Sequence, residues 1–228
     1  MRKYSITLFT LVTALAMASS AMATTINFGC PGSLNGGAAC TTSPSTTPLS
    51  TWNQGGFTVT SEAGSWYFNH AQGNPPPGIS TAGTGTYTVQ VAANGGGLFD
   101  FSSVDLGYYA SGGSLTYSIV GIGGATPFDL TGTLSGGACS NLVAGESCSF
   151  SDLDGAADYF TITDTSFLTD GITALDITII TSGNSGYVDN IDVLTPEPAS
   201  LLLLGTGLLG LAFVTFRKFK SSDPASHA

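Results

Sequence analysis

An all-β protein, an antiparallel β-sandwich of jelly-roll type, is what the sequence predicts, and three observations carry that reading. Short runs rich in β-branched and aromatic residues recur through positions 24–195, separated by turn residues. Apolar and polar side chains alternate with period two in several of them, as in Tyr117-Ser118-Ile119-Val120-Gly121-Ile122 and Phe128-Asp129-Leu130-Thr131-Gly132-Thr133-Leu134. Few stretches of that region have helical apolar spacing, while glycine supplies 31 of the 228 residues. About ten strands follow, at 25–28, 56–62, 65–69, 86–92, 103–109, 115–122, 126–134, 159–163, 174–180 and 187–194. An up-and-down barrel or a β-helix is the alternative, although no internal repeat of the kind a solenoid needs is present.

Before the first strand, Met1-Arg2-Lys3 is a basic start, 6–18 is mostly apolar, and Ala21-Met22-Ala23 fits the small-x-small site of signal peptidase. Residues 1–23 thus read as a signal peptide, with Ala21 and Ala23 at the cleavage site and Thr24 as the mature N-terminus. The next 172 or so positions, 24–195, are enough for one domain with a real core. The Thr/Ser/Pro-rich stretch 39–50 and Asn74-Pro75-Pro76-Pro77-Gly78 read as surface loops within that domain.

Four cysteines lie in the exported part, Cys30, Cys40, Cys139 and Cys148. An oxidising compartment favours disulfides, and four cysteines permit three connectivities. Each of the pairs 30–40 and 139–148 brackets a short polar loop, so two strand ends lying side by side would close it. The local pairing is favoured. Zinc is not, because no Cys-x-x-Cys occurs and His70 is the one histidine of the region.

After the last strand comes Pro196-Glu197-Pro198, then the uncharged stretch 199–216, then Arg217-Lys218-Phe219-Lys220 and a short tail, 221–228. As a helix, 199–216 would be about 27 Å long, close to the hydrocarbon thickness of a bilayer. The prolines keep the junction extended, and the basic residues stay on the cytoplasmic side of the inner membrane. This order of Pro-Glu-Pro, apolar helix and basic end resembles the PEP-CTERM sorting signal of Gram-negative bacteria, over residues 196–220. The resemblance implies processing by a membrane-embedded exosortase at Pro196, Glu197 and Pro198, with Arg217 and Lys218 as the retained basic end. The plainer reading is a C-terminal anchor with a rigid spacer. Either way the precursor is anchored in the inner membrane facing the periplasm. Processing would give a mature form at the cell surface or outside the cell.

Charge divides the chain in the same way. All five basic residues lie at the ends, Arg2, Lys3, Arg217, Lys218 and Lys220, so 24–195 has no Lys or Arg. Of fifteen acidic residues only Glu197 and Asp223 fall outside that stretch, which leaves thirteen within it. Such a surface repels phosphate backbones, which excludes nucleic-acid partners, and its natural counterparts are cations.

Catalytic constellations are scarce. There is no Gly-x-Ser-x-Gly elbow and no His-Glu-x-x-His. Ser–His–Asp hydrolysis would have to use His70, at the end of the aromatic run 66–69, where a loop or strand-end histidine is the simpler reading. A glycosidase needs two carboxylates across a cleft, and thirteen acids single out no pair. No enzyme activity is expected. The alternative is an exported hydrolase acting on polysaccharide.

Two acidic groupings bear on metals. Asp152-Leu153-Asp154-Gly155 with Asp158 has the density of a calcium loop but lacks its downstream glutamate. Tyr187-Val188-Asp189-Asn190-Ile191-Asp192-Val193 resembles the closing strand of lectin-like jelly rolls. That resemblance implies a structural calcium held by Asn27 and Asp192, with carboxylates that simply face water or cap turns as the commoner alternative. No other cofactor is expected. The stretch 99–109, with 187–191, is similar to exported domains that precede such sorting signals, and implies sugar binding by analogy. Trp52, Trp66, Tyr67, Tyr108 and Tyr109 are the candidate stacking rings. Adjacent residues on a strand face opposite ways, so at most one of Tyr108 and Tyr109 serves. The expected partners are signal peptidase, exosortase, the inner membrane and exopolysaccharide or another glycan.

Overall fold

The computed structural model describes residues 22–28, 48–69, 77–109, 113–124, 128–152, 157–164, 171–183 and 185–195, with positions 206, 207, 209, 210 and 212 of the C-terminal tail. Residues Ala23–Thr195 form one compact unit. Its strands are β1 (Met22–Ile26), β2 (Thr51–Gln54), β3 (Phe57–Ala63), β4 (Trp66–Asn69), β5 (Gly78–Thr81), β6 (Gly85–Ala93) and β7 (Asp100–Tyr109). They continue as β8 (Ser114–Ile122), β9 (Asp129–Ser135), β10 (Ala138–Ser140), β11 (Glu146–Asp152), β12 (Ala157–Asp164), β13 (Ala174–Ser182) and β14 (Gly186–Thr195).

They build two seven-stranded antiparallel sheets. Sheet A has the order β11-β12-β7-β14-β5-β4, with β1 also pairing β14, and sheet B has the order β10-β9-β8-β13-β6-β3-β2. The sandwich expected from the alternation is therefore present. Its hydrophobic core lies between the sheets: Val89, Val91, Leu115, Ile119, Ile177 and Ile179 from sheet B meet Val104, Leu106, Ile162, Val188 and Val193 from sheet A, all fully buried. Glycine pairs close two of the hairpins. Gly55-Gly56 (φ 60° and 86°) joins β2 to β3, and Gly136-Gly137 (φ 57° and 75°) joins β9 to β10, because tight hairpin turns need positive φ at both central residues.

Each of the ten expected strands has its counterpart; β2, β5, β10 and β11 are additional. Three of these four are at sheet edges, where one row of backbone groups stays unpaired and the sequence need not alternate. The fourth, β5, is a four-residue strand buried at every position, so it shows no period at all.

Cys139 and Cys148 are bonded, with Cα atoms 6.4 Å apart. The pairing is the local one, and the two strands that it joins belong to different sheets. Cys139 is on β10, an edge of sheet B, and Cys148 is on β11, an edge of sheet A. The bond therefore fastens the two sheets together along one open side. Cys30 and Cys40 lie outside the described residues, as do residues 1–21, His70 and 196–205. Of the expected apolar helix, Thr206, Gly207, Leu209, Gly210 and Ala212 are described and helical. No described helix is long and apolar enough to cross a membrane.

Candidate functional site

A β-strand buried on one face alternates, but β7 and β14 do not. From Val104 to Tyr108 and from Gly186 to Asp189 every residue is buried. Their inward residues fill the core. Their outward residues, polar or aromatic, are also withdrawn from water, so the outer face of sheet A is where this chain concentrates buried polar groups.

Asp105 of β7 stands directly opposite Asp189 of β14. Asp189 is 0% exposed and Asp105 6%. Two carboxylates facing each other across a ladder repel, and no Lys or Arg exists between 24 and 195 to neutralise them. Hydrogen bonds supply part of the compensation. Thr161 Oγ1 donates to Asp105 Oδ1 over 2.6 Å, and Asn190 Nδ2 donates to Asp105 Oδ2 over 2.9 Å. The Asn190 backbone N–H donates to Asp189 Oδ1 over 2.8 Å. Asn190 reaches both because it sits in the left-handed region, φ 41°, at a register shift between Asp189 and Asp192. A bulge of this kind redirects one side chain, and Asn tolerates that conformation better than most residues.

Beyond the bulge, Asp192 accepts from Thr25 Oγ1 of β1 and, over 2.9 Å, from Ser103 Oγ of β7. Asn27, just past β1, accepts through its Oδ1 from Gln54 Nε2 over 2.7 Å. Both expected calcium positions therefore have protein donors on them, and a cation there would share those oxygens with hydroxyl or amide donors. The oxygens of Asp105, Asp189, Asn190 and Asp192 are of the hard type that suits calcium. Among the described residues no group of three or more His, Cys, Asp or Glu side chains is placed to hold a metal. Asp152 and Asp158, from the other acidic grouping, face each other near the end of the β11–β12 hairpin; residues 153–156 lie outside the description.

Next to the carboxylates runs a row of tyrosines. Tyr159, Gly107, Tyr187, Ser80 and Tyr67 are successive cross-strand partners over β12, β7, β14, β5 and β4. The rings of Tyr159 and Tyr187 meet at 6.0 Å between centroids, beside Gly107. A Cβ at Gly107 would come within 2.8 Å of the Tyr159 ring and 3.0 Å of the Asp158 carbonyl, so only glycine fits under the ring. Burial pushes the Tyr187 phenol well above its ordinary range, and the nearby Tyr109 adds to this. A second buried phenol, Tyr117 on β8, is raised by burial and by its hydrogen bond to Glu146, whose other oxygen caps the Val143 N–H at 3.1 Å.

The candidate stacking rings separate by face. Trp66 and Tyr108 are core residues, 0% and 2% exposed. Trp52 packs edge-on against Phe68 and is half-buried. Tyr67 is half-buried, and Tyr109 is 39% exposed. Tyr108 and Tyr109 do point to opposite faces. The sequence reading missed the Asp105–Asp189 opposition, Asn190 as its link and the Tyr159–Gly107 fit. All three depend on register, which a single strand's pattern does not give.

Residues 194–218 match the family model of the PEP-CTERM protein-sorting motif. The chain therefore carries that motif, and it begins at the last two residues of β14. A search of curated proteins gave no match. Among solved structures, TmCBM61 in complex with beta-1,4-galactotriose is similar at 9% identity and a TM-score of 0.32, over 63% of this chain and 90% of that one. A likeness of that strength carries no argument about fold or ligand.

Proposed function

We propose that this chain is the precursor of an exported, non-enzymatic surface or extracellular-matrix protein, processed at Pro196-Glu197-Pro198 by an exosortase. The sorting motif at 194–218, which starts in the last two residues of the final strand, is the observation that carries this reading. Signal peptidase acts between Ala23 and Thr24, the apolar stretch 199–216 holds the precursor in the inner membrane, and Arg217 and Lys218 stay behind. Cys30 pairs with Cys40, as Cys139 does with Cys148. The released sandwich, a jelly roll in type, joins the envelope or the exopolysaccharide.

Intact-mass measurement of protein extracted from the native cell surface tests the processing. The C-terminus is expected near 196–198, and finding Arg217-Lys218 still attached would refute it. The glycan partner is neutral, since thirteen carboxylates with no Lys or Arg repel acidic polymers. Tyr109 and Tyr67 are its stacking rings, because they are the least buried tyrosines on the outer face of sheet A. A glycan array with wild type and Tyr109→Ala, alongside a reducing-sugar assay, separates binding from hydrolysis. Polysaccharide cleavage by the exported part would replace the binding reading with the hydrolase. A calcium ion at Asn27 and Asp192 belongs to the same proposal. Thermal melts in calcium against sodium chloride of equal ionic strength decide it, since a site stabilises by saturable binding and screening does not. Equal shifts in the two salts would remove the ion.

A further inference from the structure

The expected N-terminal junction lies inside one strand, the expected C-terminal one follows another directly in the sequence, and the two strands are partners. Ala23 and Thr24 lie in β1 (Met22–Ile26), while Leu194 and Thr195, the first residues of the sorting motif, lie in β14. β1 pairs β14 in sheet A. Their seam is well made: Thr25 Oγ1 donates to Asp192, Ser103 of β7 donates to the other oxygen of the same carboxylate, and Ile26 is fully buried. On its other side the end of β14 is in register with β7, Val193 opposite Phe101 and Leu194 opposite Asp100, with Val193 fully buried. No free residue separates β14 from Pro196.

A protease holds its substrate as an extended segment whose backbone N–H and C=O groups are available to the enzyme, in the manner of an added strand. Within a ladder those groups are already engaged. A cut anywhere in 196–198 places the scissile bond within a few residues of Val193 and Leu194, which are paired with β7. A linker of several residues would remove the conflict; here the sequence passes from Thr195 of β14 straight to Pro196.

We propose that the β1–β14–β7 seam gates C-terminal processing, so that cleavage passes through a locally opened state in which the end of β14 has left the sheet. The gate rests on the exosortase reading above. It precedes the peptide-bond chemistry and leaves it unchanged. It also orders the two events. β1 contains the signal-peptidase junction, so it completes its seam with β14 only after the N-terminal cut. Processing is fast while the seam is unformed and slow once it has closed.

The test is a pulse-chase of the full precursor in its native host, following conversion to the C-terminally shortened form by mass. A four-residue Gly/Ser insertion between Thr195 and Pro196 keeps Pro196-Glu197-Pro198 and everything after it, keeps the residues of β14, and supplies free residues between them. It is expected to speed conversion several-fold. The Thr25→Cys and Asp192→Cys double variant, which cross-links β1 to β14, is expected to slow it several-fold, with the rate restored by reductant. An insertion that leaves the rate unchanged or lower overturns the gate, even if the cross-linked variant misfolds. A wild-type precursor that is never shortened defeats the sorting reading itself.

Discussion

The outer faces of the two sheets are built on opposite plans. On sheet B the outward residues of β6, β8, β9 and β13 are largely hydroxyls arranged in cross-strand rows, Thr131-Ser118-Thr178-Thr88 and Thr133-Thr116-Ile180-Thr86. They are half-buried or exposed; Thr88 and Thr178 bond to each other at 2.9 Å, and Ser118 donates to the neighbouring Asp129 carboxylate at 2.9 Å. On sheet A the corresponding positions hold Asp105, Asp189, Tyr159 and Tyr187, at 6%, 0%, 0% and 3% exposure. Water can satisfy any hydroxyl of the first face, so that face tolerates change. The second face depends on particular partners, because a buried polar group that loses its partner is not rescued by solvent. Concentrated burial of polar groups is a poor way to stabilise a sheet, which makes sheet A the face whose composition calls for a functional explanation.

Adding bulk gives the widest separation between the faces. Gly107→Val on sheet A drives a side chain into the Tyr159 ring and the Asp158 carbonyl. It is expected to cost about 3 kcal/mol, the upper part of the overpacking range, or roughly 6–12 °C in Tm for a unit of this size. Ala92→Val on the outer face of sheet B adds similar bulk beside Ala174 and is expected to stay within about 0.5 kcal/mol. Equal losses in the two melts would dissolve the distinction. The disulfide comes next. Replacing Cys139 and Cys148 with alanine frees the two sheet edges and removes a loop constraint of about 2–3 kcal/mol. A denaturant midpoint that does not move would show that the edges hold without it.

How much of this was legible depends on which face a strand shows to water. β8 and β9 alternate openly, and their sequence boundaries lie within a few residues of those observed, because one side is wet and the other packed. β14 reads as a strand from its β-branched residues, yet its Asp189, Asn190 and Asp192 are uninterpretable until the bulge is known, since a one-residue slip moves each to the other face. Nor does anything near Gly107 announce Tyr159, which is fifty-two positions away and becomes its neighbour only by pairing. The sorting motif, by contrast, is contiguous and chemically ordered, so its reading at 196–220 lies within two residues of the match at 194–218 at each end.

Alkaline titration probes the buried phenols on both sides of the sandwich. Tyr187 and Tyr117 have phenols raised above the ordinary value, by burial first in each case. A raised folded-state pKa favours the protonated form in the folded protein. Stability from this source is therefore complete below about pH 10 and is lost as pH rises beyond it, by up to about 1.4 kcal/mol per pH unit for each tyrosine. Tyr187→Phe on sheet A and Tyr117→Phe on sheet B should each flatten part of that slope, and Tyr108, whose phenol burial also raises, keeps a share of it. A free energy of unfolding that is level between pH 9 and 11 would mean that neither phenol is held away from ionisation.

The finest test applies one substitution to both faces. Thr161→Val and Thr178→Val each keep the shape and the β-branching and remove one hydroxyl, so strand propensity and packing volume nearly cancel. At 178 the lost hydroxyl was paired with Thr88 on an open face, where water replaces it. The change should be within about 0.5 kcal/mol. At 161 the lost hydroxyl was the 2.6 Å donor to Asp105 Oδ1, a carboxylate 6% exposed and opposite a second buried carboxylate. Withdrawing a donor from a buried charged acceptor costs about 1–3 kcal/mol. The difference should disappear in the Asp105→Asn background if the carboxylate's charge is the reason, because a neutral amide opposite Asp189 no longer depends on that donor. A Thr161 effect that survives unchanged in that background would assign the sensitivity of sheet A to packing, not to its opposed carboxylates.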